Sequence, residues 1–88
     1  MLQKTFFITS EEGLDARAAF LLEKKANAFV SEISLGYKEY KVNVKSILGP
    51  MSLGIRKNSE VTVFVNGSDE QEALSGIEDS FKELSLVE

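Results

Sequence analysis

The spacing of apolar residues along the chain is the feature that most constrains its fold. Near residues 2–8 they alternate with other side chains, and farther along they recur at three- and four-residue spacing. The first spacing is typical of a strand with one covered face, and the second is typical of a helix with one buried side. Segments with strand-like spacing and segments with helix-like spacing follow one another in the order βαββαβα, which predicts an α+β fold.

The predicted strands are short alternating segments with one inward-facing side. The residues that define them are Leu2, Lys4, Phe6 and Ile8, then Ile33 and Leu35, then Tyr40, Val42 and Val44, and finally Val61, Val63 and Val65. Strands that are half polar indicate an antiparallel sheet covered by helices on one face. The connection 36–39 lacks an Asn-Gly or Asp-Gly pair, so we expect a longer or looser loop with Gly36 as its flexible point. Periodicity leaves the strand order open, and a ferredoxin-like RNA-binding sheet shares most of this pattern.

Three helices are predicted from capping residues and buried stripes. The first begins at Asp15, whose carboxylate suits an N-cap, and its stripe is Ala19, Leu22, Ala26 and Phe29. The second, of roughly two turns, runs from a capping Ser46 to Gly54. The third begins with a capping box of Ser68 and Gln71. Its stripe is Ala73, Leu74, Ile77, Phe81 and Leu84.

The composition excludes several classes of function. The 88 residues suffice for a single domain, 1–88. Cysteine and histidine are both absent, so no metal or cofactor is expected, and a reducing cytoplasm is the simplest compartment. The net charge of −4 argues against direct nucleic-acid binding and favours a protein partner with some basic surface. Neither a signal peptide nor a membrane span is expected.

The turn into the first helix is the main candidate site. A helix N-terminus is a natural place for an anion, and Arg17 adds a guanidinium that could hold a phosphate or a carboxylate. The simpler alternative is that Asp15 only caps the helix. Both readings place Asp15 and Arg17 at the same helix mouth.

Two motifs resemble those of HPr, the phosphocarrier of the bacterial phosphoenolpyruvate-dependent sugar phosphotransferase system. Gly13-Leu14-x-Ala16-Arg17 is similar to its active-site turn, GLHARPA, and the segment 45–54 is similar to its second signature, KSIMGVMSLG. The resemblance covers nearly the whole chain. It implies the HPr-like open-faced β-sandwich, a four-stranded antiparallel sheet covered on one face by three helices. Asp15 stands where the family has its phosphoryl-accepting histidine, and Ala18 stands where it has proline.

The second motif implies a phosphorylation site at Ser46. In HPr proteins of low-GC Gram-positive bacteria, a dedicated ATP-dependent kinase phosphorylates the matching serine. The apolar residues that match Ile47, Leu48 and Met51 form a docking patch there. The alternatives are that Ser46 is only an N-cap and that Met51 belongs to the core. Pro50 departs from the pattern, and we expect it to kink or displace the helix because it cannot bond back to residue 46.

The aspartate at position 15 argues against ordinary phosphoryl relay, because a carboxylate repels an incoming anion and Arg17 compensates only in part. The chain is similar to Crh, the HPr variant that has glutamine there, retains the regulatory serine and serves as corepressor of a LacI-type catabolite control repressor. The resemblance implies a non-enzymatic regulator of carbon catabolite repression, with HPr kinase/phosphorylase and that repressor as partners and enzyme I as a further one. The alternatives are a phosphocarrier of the sugar phosphotransferase system that uses Asp15 as an atypical acceptor, and a diverged paralogue that binds an unrelated protein.

The residues expected to meet partners lie in the two motifs and along the first helix. They are Asp15, Arg17, Phe20, Lys24, Ile47, Leu48 and Met51. Phe20 either contacts a partner or packs on the neighbouring short helix, and Lys24 and Lys25 fall on the solvated side of the first helix. Phe7 and Phe64 point outward on neighbouring strands, as a self-association patch or a cross-strand pair. Because the Crh branch can exchange its first strand, we expect a monomer or a weak homodimer.

Overall fold

The computed structural model describes residues 1–46 and 48–88, so the predicted docking residue Ile47 lies outside the described residues. The elements are β1 (Leu2–Phe7), α1 (Ala16–Ala26), β2 (Glu32–Tyr37), β3 (Tyr40–Asn43), α2 (Leu48–Ser52), β4 (Glu60–Asn66) and α3 (Glu70–Glu83). The predicted order βαββαβα is confirmed. None of the described helices is long and apolar enough to cross a membrane.

The sheet is antiparallel, with the strand order β1-β4-β2-β3 that periodicity alone left open. Its two central strands contribute buried Val61, Val63 and Val65 and buried Ile33 and Leu35. The register has a further consequence: the end of β1, the start of β4 and the β2–β3 hairpin tip lie at one end of the sheet. That end also receives the turn that leads into α1.

The core lies between one face of the sheet and the helices. Its members include Phe6, Ile8, Leu22, Ile33, Leu35, Val63, Ile77 and Phe81. The Phe6 and Phe81 rings are 4.8 Å apart between centroids, which joins β1 to α3. Lys4 lies on the same side of β1 as Phe6, in keeping with the alternation, but it is exposed. Its ammonium lies 5.6 Å from the Phe6 ring centroid and donates to the Glu78 carboxylate of α3 at 2.7 Å.

Four residues that the spacing assigned to helices or strands lie just outside them: Ile8, Phe29, Val44 and Leu84. Val44 follows β3 and is buried, and its N–H donates to the Ile33 carbonyl oxygen at 2.9 Å. Phe29 lies in the turn after α1 and packs partly buried against the core. Burial therefore continues beyond the ends of β3 and α1.

The connection between β2 and β3 is tighter than predicted. Tyr37 pairs directly with Tyr40, which leaves a two-residue turn in which Lys38 takes a φ of 55°. Gly36 is not a flexible point, because it lies within β2. A Cβ at Gly36 would come within 2.8 Å of the Phe64 ring, so a larger residue there would force that ring to shift.

The predicted capping box of α3 is wrong. The N-cap is Asp69, one residue after Ser68, and its carboxylate makes no capping bond. It accepts instead from the N–H groups of Val30 and Ser31, each at 3.0 Å, and from the Ser31 hydroxyl. These donors, led by the hydroxyl, hold the pKa of Asp69 below its ordinary value. The Asp69 carboxylate therefore binds the segment before β2 instead of capping its own helix.

Helix α2 is shorter than predicted, at five residues. Pro50 is its third residue and is buried. N–H groups in the first turn of a helix have no acceptor within that helix, so the proline forfeits no bond there. The expected disruption of a two-turn helix therefore does not arise. Gly54, with a φ of 63°, follows the helix where a terminating glycine was predicted.

The outward aromatic residues Phe7 and Phe64 lie on neighbouring strands, as predicted, but they do not form a cross-strand pair. Phe7 is opposite Glu60 and Phe64 is opposite Gln3, at different ends of the β1–β4 ladder. The Phe64 ring lies instead 4.2 Å below the ammonium of Lys41. Phe7 stays exposed. The alternation correctly predicted that both rings lie on the outer face of the sheet, but the strand register determines which residues are cross-strand partners.

Candidate functional site

The backbone of the turn before α1 is held in place by the loop that precedes β4. Gly13 has a φ of 65°, and a Cβ on it would overlap the carbonyl oxygen of Ile55. The next N–H, that of Leu14, donates to the same oxygen at 3.0 Å, and the Ser10 hydroxyl donates to the Gly13 carbonyl at 3.0 Å. Leu14 is buried. The turn is therefore anchored from both sides, and only glycine fits at its tightest point.

Asp15 caps α1, as predicted: its Oδ1 accepts from the Ala18 N–H at 2.9 Å. The carboxylate is exposed, and so is Arg17, which forms no ion pair with any carboxylate of residues 1–46 or 48–88. Both side chains line a polar depression together with Ser10 and Glu12. A fixed negative charge thus already occupies the helix mouth, where an anion would otherwise be favoured.

The outer side of α1 presents Phe20 to solvent. Its ring is 43% exposed, and the Lys24 ammonium lies 5.0 Å from the ring centroid. This contact favours the surface alternative over burial against α2, although α1 and α2 do pack together. Lys24 is exposed as expected, whereas Lys25 is half buried.

Ser46 is exposed in the segment between β3 and α2. Its N–H donates to the Asn43 carbonyl at 3.2 Å, and the Lys45 ammonium before it donates to the Phe29 carbonyl at 2.7 Å. Two apolar side chains follow at the surface: Leu48 is 74% exposed and Met51 is 42% exposed. Met51 is thus a surface residue rather than a core residue. Ser46 thus lies in the segment that leads into the helix carrying this exposed apolar pair, and that helix contacts α1.

No motif or spacing in the sequence points to Arg56, but the fold places its backbone beside the Asp15 turn. Its Cα lies beside Gly13, where an added Cβ would approach it to 2.8 Å. Its side chain is exposed and forms no ion pair within the part of the chain that the structure describes. The signal that could have found it is a positive charge two residues after the second motif, but only the fold brings that charge to the Asp15 turn.

Known proteins share this architecture over almost the whole chain. The family model described as the PTS HPr component phosphorylation site matches residues 2–83. The histidine-containing phosphocarrier protein of a mycoplasma is 31% identical, with a TM-score of 0.97 and 99% of each chain covered. The phosphocarrier protein HPr of Bacillus anthracis is 38% identical, with a TM-score of 0.83, and the match covers 90% of this chain and 94% of that one.

A further similar structure is Crh of Bacillus subtilis, a catabolite repression protein solved as a dimer with a swapped domain. It is 39% identical, with a TM-score of 0.75 and 100% of each chain covered. The four-stranded open sheet, the three helices and the family match over residues 2–83 agree with one another. This chain belongs to the PTS HPr family.

Proposed function

We propose that this chain is a regulatory HPr-like protein of carbon catabolite repression. HPr kinase phosphorylates it on Ser46, and the modified form acts as corepressor partner of a LacI-type catabolite control repressor. The observation that carries this proposal is that Ser46 is exposed in the segment just before the helix that carries the exposed Leu48 and Met51. The similarity to the catabolite repression protein Crh supports it.

The switch works through charge placed next to an apolar surface. The Ser46 oxygen attacks the γ-phosphorus of ATP, an O–P bond forms as ADP leaves, and the hydroxyl proton passes to a base of the kinase. The phosphoserine adds about two negative charges and three acceptor oxygens. A partner that contacts Leu48 and Met51 then meets this charge at the edge of its interface, so the phosphate decides which partner surfaces fit.

Phosphoryl relay is not part of this function. The chain has no histidine, and the residue in the acceptor position, Asp15, carries a negative charge and already accepts the Ala18 N–H. An incoming phosphoryl donor is anionic and is repelled by that carboxylate. Arg17 is instead assigned to the partner-binding surface, where its exposed guanidinium can hold a carboxylate.

Phosphorylation in two parallel reactions tests the proposal. The protein is incubated with HPr kinase and ATP, and separately with enzyme I and phosphoenolpyruvate, and mass spectrometry locates any added phosphate. We expect an acid-stable phosphate on Ser46 in the first reaction only. Ser46→Ala removes it, whereas Ser52→Ala, which changes another exposed serine at the end of α2, retains it.

The other outcomes each favour a rival function. A hydroxylamine-labile phosphate on Asp15 in the second reaction identifies a phosphocarrier with an atypical acceptor. No phosphate in either reaction favours a diverged paralogue that binds an unrelated protein. Either result overturns the regulatory proposal.

A further inference from the structure

The outer edge of β1 presents backbone groups that have no partner within the described residues. The N–H of Ile8 donates to the Ser59 carbonyl at 2.8 Å, so the backbone groups of Ile8 face the β4 side of the strand. Hydrogen-bonding groups along an antiparallel strand alternate in direction from one residue to the next. The N–H and carbonyl groups of Gln3, Thr5 and Phe7 therefore face away from β4. Because β1 lies at the edge of the sheet, no other described strand meets them.

Two contacts support this direction. The N–H of Thr9, two residues after Phe7, points outward as the alternation requires and donates to the Leu86 carbonyl at 2.8 Å. Thr5 lies opposite Thr62 on β4, and their hydroxyl oxygens are 2.9 Å apart. Side chains lie closest in pairs whose residues share no backbone hydrogen bond. The free groups therefore form a row along β1 that ends where Leu86 takes the N–H of Thr9.

The same row on a second copy of the chain is complementary to this one. Two β1 strands that pair antiparallel with a two-fold axis at Thr5 place Gln3 opposite Phe7 of the second copy. Thr5 then lies opposite its own counterpart. Every outward N–H and carbonyl of the row has a partner in this register. The two-fold axis makes the interface self-complementary, because each contact occurs twice.

Other registers fit less well. An axis at Lys4 places two ammonium groups opposite each other, and like charges in that position destabilise a sheet. An axis at Phe6 places Gln3 opposite Thr9, whose N–H is already bonded. Axes farther along the strand in either direction leave more of the row unpaired. The register centred on Thr5 therefore pairs the whole row without placing like charges opposite each other.

The charge of Lys4 does not prevent this pairing. A lysine on an edge strand usually discourages contact with another strand. Here its ammonium donates to the Glu78 carboxylate at 2.7 Å, and the Lys82 ammonium lies 3.5 Å from the same carboxylate. In the register centred on Thr5, Lys4 faces Phe6 of the second copy. An ion-paired ammonium thus meets an aromatic residue rather than another cation.

We propose that two copies of this chain form a symmetric dimer by antiparallel pairing of their β1 edges about Thr5. The two four-stranded sheets then become one continuous sheet, and each copy keeps its own β1 paired with its own β4. The opposite edge, formed by β3 and contacted by α2, stays free. Because Leu48 and Met51 lie on α2, the dimer leaves them exposed. This proposal does not rest on phosphorylation of Ser46, so either proposal can fail without the other.

The first test measures the mass of the full chain by sedimentation equilibrium at increasing protein concentration. We expect a reversible monomer–dimer equilibrium in the wild type. Thr5→Pro is expected to weaken dimerisation about tenfold, because it removes an outward N–H on each side of the axis. That N–H faces away from β4, so the proline leaves the bonds to β4 in place. The control Thr5→Val loses the same hydroxyl contact with Thr62 but retains the N–H, and it is expected to dimerise like the wild type.

A second test determines the register by cross-linking. The chain has no cysteine, so an introduced thiol can form a disulfide only with its own counterpart. Thr5→Cys places two thiols on directly opposite residues, whose Cα atoms are about 5.5 Å apart in such a ladder and within reach of a disulfide. In the control Gln3→Cys, the two thiols lie roughly 13 Å apart along the strands, which a disulfide cannot span. We expect rapid oxidation to a covalent dimer only for Thr5→Cys.

Three results would overturn the proposal. A monomer at every concentration would show that the β1 edges do not pair. A dimer that is equally stable in Thr5→Pro would show that the copies meet elsewhere or exchange β1, because neither arrangement uses the outward N–H of Thr5. Equal oxidation of the two cysteine variants would show random collision rather than a fixed register. Should Thr5→Pro fail to fold, the two cysteine variants decide on their own.

Discussion

Gly13→Ala tests whether the Asp15 turn is held by the close approach described above. A left-handed backbone costs a residue with a Cβ about 1–2 kcal/mol relative to glycine. The added Cβ also overlaps the Ile55 carbonyl, and relieving a collision of this kind in packed structure costs about 1–3 kcal/mol more. We therefore expect Gly13→Ala to lower the free energy of unfolding by about 2–5 kcal/mol, a large share of the stability of a small domain.

Gly54→Ala is the matched control for this prediction. Gly54 has nearly the same φ, 63° against 65°, but a Cβ there meets nothing within 4 Å. It is expected to lose only the conformational part, about 1–2 kcal/mol. Urea unfolding of both variants, followed by circular dichroism, measures the difference. Equal destabilisation of the two variants would refute the reasoning, because it would mean that contact with Ile55 does not constrain the turn.

Two further predictions concern the core and the ion pair between β1 and α3. Phe81→Ala removes a ring that is 1% exposed, so we expect a loss of about 3–5 kcal/mol in urea unfolding, against less than about 0.5 kcal/mol for the exposed Phe7→Ala. The hydrogen bond and charge of Lys4 lower the pKa of Glu78 from its ordinary value of 4.5. The ion pair therefore stabilises the fold fully at pH values above 4.5. This contribution is lost as the pH falls through the lowered pKa of the folded state. Between pH 6 and pH 3, Glu78→Gln should lose less free energy of unfolding than the wild-type chain, and the control Glu72→Gln should follow the wild type. Identical pH profiles of stability for all three proteins would contradict a stabilising ion pair between Lys4 and Glu78.

Local spacing predicted the elements of this fold but not the contacts between distant segments. Alternation identified the strands and their inward faces, because burial on one face of a sheet repeats every two residues. It did not identify the tie from Asp69 to Ser31, which joins residues 38 positions apart and displaces the predicted cap. The hairpin turn was also unforeseen, because Lys38 adopts a positive φ without the residue types that usually mark it.

The candidate site was predictable to a similar extent. The cap at Asp15 follows from residue type and position, and the structure places Phe20, Leu48 and Met51 at the surface. Arg56 and its neighbourhood could not be predicted, because Gly13 and Arg56 are separate in sequence and only the strand register brings their turns together. Residues that meet through tertiary structure leave no periodic signal.

The affinity of a LacI-type catabolite control repressor for this protein, before and after treatment with HPr kinase and ATP, tests the central claim most directly. We expect tight binding only for the protein phosphorylated on Ser46, and none for kinase-treated Ser46→Ala. Equal affinity for the treated and untreated wild-type protein, or a kinase reaction that leaves Ser46 unmodified, would contradict the account.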